Sequence, residues 1–71
     1  MDDILIKDEF IKLGQALKLC GAVSSGVEAK FMIMDGDVSV NGEVCTMRGK
    51  KLYPGDLISV SGHDYQIHRA S

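Results

Sequence analysis

The side chains in this chain best suited to hold a ligand are cations: Lys12, Lys18, Lys30, Arg48, Lys50 and Lys51. Gathered on one face, such groups neutralise phosphates, with an affinity that falls as salt rises because counterions are released. They are densest between Thr46 and Tyr53, where Arg48, Lys50 and Lys51 occur without any acid. Ser25 and Gly26 supply a second device. Ser25-Gly26-Val27-Glu28 has the spacing of a capping box, in which the serine oxygen accepts from the Glu28 amide while the glutamate reaches back. Gly26 puts no side chain over that helix start. Open amides, a positive dipole end and Lys30 one turn later make a pocket suited to phosphate. The competing reading is a set of ordinary solvated lysines.

Bond-making chemistry finds little to work with. Asp35 and Asp37 flank Gly36, and polar residues gather beside a helix-ending glycine for turn reasons. His63 and His68 are five apart in a segment that reads as a hairpin; one strand step flips a side chain across the sheet, so odd spacing sets the pair on opposite faces unless the loop intervenes. A metal site would still want a third ligand. Cys20 and Cys45 each sit in an apolar pattern without a C-x-x-C neighbour, which reads as two small buried hydrophobes in a reducing compartment. No nucleophile signature of the G-x-S-x-G kind occurs. The expectation is no enzyme, no metal and no cofactor.

These residues must be positioned by short elements. Ile4-Leu5-Ile6 reads as a strand. Asp8 then stands where it can cap a helix, with Glu9 in the first turn and Phe10, Leu13, Leu17 and Cys20 as the buried stripe. Gly21 ends that helix. A second helix runs from the Ser25 cap to about Met34, with Ala29, Met32 and Ile33 facing the core and Gly36 closing it. Asp37 to Val40 alternates as a half-buried strand does, and Asn41-Gly42 suits a type I′ hairpin turn into Glu43–Thr46. Tyr53-Pro54-Gly55-Asp56 fits a type II turn. Leu57–Val60 and Tyr65–His68 complete the pattern as strands joined through residues 61–64. The result is a single α+β domain over residues 1–71, two helices packed on a small, mostly antiparallel β-sheet.

At 71 residues, 45% hydrophobic and 25% charged, the chain is rich enough in apolar residues to fold and near the lower size limit for doing so. A net charge of -2 counts against a general polyanion binder. The acids are concentrated at the start: residues 1–9 carry a net -3, and the remainder a net +1. Any anion site is therefore local. No apolar run approaches the ~18 residues that cross a bilayer, and Met1-Asp2-Asp3 has the wrong charge for a secretory leader. These features point to a cytoplasmic protein.

The order Lys12-Leu13, Leu17, Gly21, Ser25, Glu28-Ala29-Lys30, Ile33, Gly36, Val38, Val40-Asn41-Gly42 and Pro54-Gly55-Asp56 resembles the RNA-binding domain of the fourth small-subunit ribosomal protein, the αL motif. The resemblance covers about residues 10–60. Length and the Ser-Gly form of the cap are most similar to the small stand-alone bacterial members of the YbcJ and YaaA type. It implies a module that binds structured, ribosomal RNA by shape and phosphate contacts in ribosome assembly or translation. Lys12, Lys18, Lys30, Arg48, Lys50 and Lys51 would then meet phosphates, with the amides near Ser25 and Gly26. The chain departs from the family pattern at Lys12, where an arginine is usual, at Gly14, usually aspartate, and at Gly26 and Lys30, usually arginines. Lysine keeps the charge and loses the bidentate fork. A second expectation, from the net acidity and from Phe31, Met34 and Met47, is an adaptor that keeps the fold and docks a protein.

Overall fold

Apolar alternation sets the sheet. The computed structural model describes residues 2–70. Within them, Ile4 and Ile6 of β1 (Asp2–Ile6), Val38 and Val40 of β3 (Val38–Val40), Ile58 and Val60 of β6 (Leu57–Val60) and Ile67 of β7 (His63–Arg69) are all buried. Successive strand residues face opposite sides, so this set forms one apolar face. With β4 (Glu43–Val44) the strands order as β1-β7-β6-β3-β4. The β1–β7 pair is parallel, with Ile4 opposite Ile67, and the other pairs are antiparallel.

Helices α1 (Leu13–Leu19) and α2 (Gly26–Met34) cover that face with Leu13, Ala16, Leu17, Ala29 and Ile33. Gly21 and Ala22 donate to the carbonyls of Lys18 and Leu17, closing α1 in the expected manner. Gly36 and Asp37 close α2 in the same way through Ile33 and Met32. Asn41 and Gly42 have φ of 51° and 88°, the two positive values that a type I′ turn requires. Asp56 donates its amide to the Tyr53 carbonyl across the Pro-Gly turn.

Several expectations are corrected. Asp8 caps nothing: α1 begins at Leu13, and residues 7–9 form a bend. Ile11–Lys12 is instead a strand, β2, paired antiparallel with β5 (Lys51–Leu52) in a separate two-stranded ribbon. The reason is that a side-chain cap is not needed. The amides of Leu13 and Gly14 donate to the carbonyls of Lys50 and Arg48, at 2.9 and 3.1 Å, satisfying groups that a helix start leaves open. The Ser25 capping box is half formed. The serine oxygen accepts from the Glu28 amide at 3.2 Å, while the Glu28 carboxylate accepts from the Ser24 hydroxyl. β4 stops at Val44, short of Thr46. The last hairpin turns through Ser61 and Gly62 alone, so His63 and Asp64 belong to β7. Both cysteines are free and half-buried rather than fully buried.

One polar knot ties the hairpin to the following turn. Asn41 Oδ1 accepts from the Leu57 amide at 3.0 Å, and Asn41 Nδ2 donates to Asp56 Oδ1 at 3.3 Å. Asp56 Oδ2 accepts from the Tyr53 amide at 2.8 Å. The Asn-Gly and Pro-Gly-Asp turns, far apart in the chain, therefore act as one unit that aims β5.

Candidate nucleic-acid interface

The capping of α1 by main-chain carbonyls brings the basic segment onto the start of a helix. Arg48 and Lys50 lend their carbonyls to α1, so the Arg48 side chain leaves from directly beside Gly14. A Cβ at Gly14 would stand 3.0 Å from the Arg48 Cγ, so the absence of a side chain at this position is what lets the arginine stem lie there. Lys12 and Lys18 come from β2 and α1, and Gly26 from the open start of α2. Together with Gln15 and Gly49 these residues line one groove of about 370 Å³. It holds three cations and no carboxylate.

Electrostatics reinforce the geometry. Lys12 and Lys51 are direct partners across the β2–β5 ribbon. Facing residues of an antiparallel pair project to the same side, and like charges so placed oppose folding. Leu52, the neighbour of Lys51, is buried, so the two lysines project to the solvent side. Among the described residues the one basic side chain within 4 Å of a carboxylate is His68, 3.0 Å from Asp3; no described lysine or arginine has a carboxylate within that reach. Nor does any described residue accept from the amides of Gly26 and Val27 at the start of α2. The groove thus collects uncompensated positive charge and open donors, an arrangement complementary to an anion.

The expected site residues divide as follows. Lys12, Lys18, Gly26 and Arg48 share the groove. Ser25 stands beside it with its hydroxyl oxygen engaged by the Glu28 amide. Lys51 lies across the ribbon from Lys12, its Nζ 4.8 Å from the centre of the Phe10 ring. Lys50 contributes its carbonyl to α1, and neither its side chain nor that of Lys30 lines the groove. Lys30 follows Gly26 by four residues, on the same side of α2. Sequence reasoning passed over Gly14 and Gln15. The unusual glycine at position 14 was the available signal, since a helix interior disfavours glycine unless something approaches closely. Phe31, Met34 and Met47 are exposed, as the adaptor reading supposed.

The chain matches the family model of the S4 domain over residues 4–68. The chain belongs to the S4 domain family. Among S4 relatives it is 44% identical to the Probable ribosome maturation protein RlbA of Bacillus subtilis (strain 168) over 59 residues, 83% of each chain. It is 38% identical to YbcJ of Escherichia coli (strain K12) over 61 residues, 86% of this chain and 87% of that one. The solution structure of YbcJ, which has an αL motif involved in RNA-binding, superposes with a TM-score of 0.73 at 35% identity, covering 96% of this chain and 87% of YbcJ. The 30S ribosomal protein S4e of Thermoplasma acidophilum shares the fold, with a TM-score of 0.64 at 23% identity over 84% of this chain and 32% of its own. Among the described residues of this S4 domain, no helix is long and apolar enough to cross a membrane.

Proposed function

We propose that the chain binds structured RNA through phosphates seated in the groove between α1, the start of α2 and the Arg48 loop, and that it serves ribosome maturation in the cytoplasm, with ribosomal RNA as the partner. The observation that carries this reading is the groove itself: Lys12, Lys18 and Arg48 from three segments, no acid among its lining, and no carboxylate spent on any of them. The RNA-binding motif of YbcJ and the maturation role in the name of RlbA support it. The catalytic alternative has no support in the side-chain chemistry, and the module is read as a binder.

The two lysines after Gly49 separate the reading from general basicity. Lys51→Glu places a carboxylate opposite Lys12, where it pairs with that lysine and withdraws it from RNA. Lys50→Glu leaves the groove lining unchanged. Crosslinking in cells followed by sequencing of the attached RNA should recover ribosomal RNA with the wild-type chain and with Lys50→Glu, and much less with Lys51→Glu. Equal recovery from all three would refute the groove as the binding surface.

A second contact is favoured by one observation. Val27, Phe31 and Met34 recur at helical spacing on α2 and are about 60% exposed, an apolar stripe suited to a protein partner. Protein association that survives high salt and is lost in Phe31→Ser would support that role beside RNA binding; its absence would remove it.

A further inference from the structure

A second groove adjoins the cationic one. It lies between the end of β1, the residues 7–11 segment and α1, with a volume of about 610 Å³. Gln15 and Lys18 line both grooves, so α1 is a shared wall between the cationic groove and one of mixed apolar and polar lining. Leu5 and Leu19 border this second groove and are 60% and 57% exposed. Leu5 alternates out of the core between buried Ile4 and Ile6, so its side chain has no packing role within the sheet's apolar face. Phe10 also lines it, beside Lys7 and Asp8; its ring takes the Lys51 ammonium at 4.8 Å and lies 6.0 Å from the Tyr53 ring.

We propose that this groove seats an unpaired nucleobase of the RNA whose phosphates occupy the neighbouring groove. The inference rests on the RNA-binding reading and narrows it: the ligand is structured RNA with an extruded nucleotide, not an uninterrupted duplex. The volume lies within the range of ligand sites. A nucleotide combines a flat apolar ring with a charged backbone, and this wall offers both complements within one helix width. The base faces cover Leu5, Leu19 and Phe10, and stacking on an aromatic ring tolerates any base. Gln15 Oε1 already accepts from the Lys12 amide at 3.4 Å, and its Nε2 is the donor left for the base edge. Asp8, the one acid on the rim, accepts hydrogen bonds and gives none, which suits a base amino group and repels phosphate. The backbone therefore follows the Lys18 side. A protein side chain would fill the apolar part and leave Lys18, shared by the two grooves, without an anion.

The test compares an RNA hairpin carrying one bulged 2-aminopurine with the same hairpin fully paired, and uses protein-free ribosomal RNA as a binding control. The wild-type chain should prefer the bulged hairpin and change the 2-aminopurine fluorescence. Phe10→Ala should lose about tenfold in affinity for the bulged hairpin, with the salt dependence unchanged because no phosphate contact is removed. Phe10 is half-buried, so a second variant, Leu5→Thr with Leu19→Gln, alters only exposed side chains and should show the same loss of preference in a fully folded protein. Retention of ribosomal RNA with no preference between hairpins, or with preference intact in both variants, overturns the base seat while the RNA-binding reading stands. Failure to retain ribosomal RNA overturns both.

Discussion

Replacing Lys12 and Arg48 together by glutamine removes two positive charges from the groove and breaks no ion pair, because neither has a carboxylate within reach among the described residues. Folding should not suffer. Lys12 faces Lys51 across the β2–β5 ribbon, and relieving that repulsion contributes about 0.2–1 kcal/mol in favour of the fold. The Arg48 carbonyl, which caps Gly14, stays in place. Binding should respond in the opposite sense. Each phosphate contact contributes about 0.7–0.9 to the slope of log affinity against log salt, so two lost contacts flatten it by about 1.4–1.8. At about 0.1 M salt the same release corresponds to roughly a 25- to 60-fold loss of affinity. Fluorescence anisotropy against protein-free ribosomal RNA, titrated from about 0.05 to 0.2 M salt, measures both quantities. Arg69→Gln, on β7 and outside the groove lining, serves as a single-charge control and should leave the slope nearly unaltered. An unaltered slope in the double variant, or an equal change in Arg69→Gln, would show that bulk charge rather than the groove holds the RNA.

Three further outcomes follow from other contacts. Gly14→Ala should leave thermal stability within about 1 kcal/mol, since helix propensity gains what the displaced Arg48 stem loses, while RNA affinity falls; equal affinity would show that Arg48 need not lie against α1. Asn41→Ala removes two hydrogen bonds and leaves a non-glycine residue at positive φ without its local polar support, and should cost about 1–3 kcal/mol in urea unfolding. Burial, with smaller contributions from Cys20 and Asp2, holds the Tyr65 hydroxyl above the usual phenol range. The neutral form is the one the fold favours, so its contribution is complete below about pH 10 and is lost as pH rises through the folded value. Tyr65→Phe should abolish that part of the alkaline destabilisation in stability measured across this range.

Local rules made much of the fold legible. Asn41-Gly42, Gly21, Gly36 and the Pro54-Gly55 turn each act through residues adjacent in sequence, and each sits where its chemistry placed it. The start of α1 did not follow, because its amides are satisfied by carbonyls of Arg48 and Lys50, partners contributed from beyond β4. A sequence displays side chains that can cap a helix, and main-chain carbonyls are invisible in it. The same hidden contact decided the site. It drew Arg48 to Lys12 and Lys18 and left the side chain of Lys50, next but one in the chain, outside the lining. The Lys12–Lys51 opposition was likewise unreadable until the ribbon register was known.

The parallel pairing of β1 with β7 has a bearing on how the molecule comes into being. During synthesis Ile4 and Ile6 are made well ahead of the strand that shelters them, in which Ile67 stands opposite Ile4. Until β7 is made this apolar segment lacks its strand partner, and Asp2, Asp3 and Asp8 beside it disfavour pairing with a second copy. Closure of this pair thus waits for β7, and clipping β7 would release β1 as well.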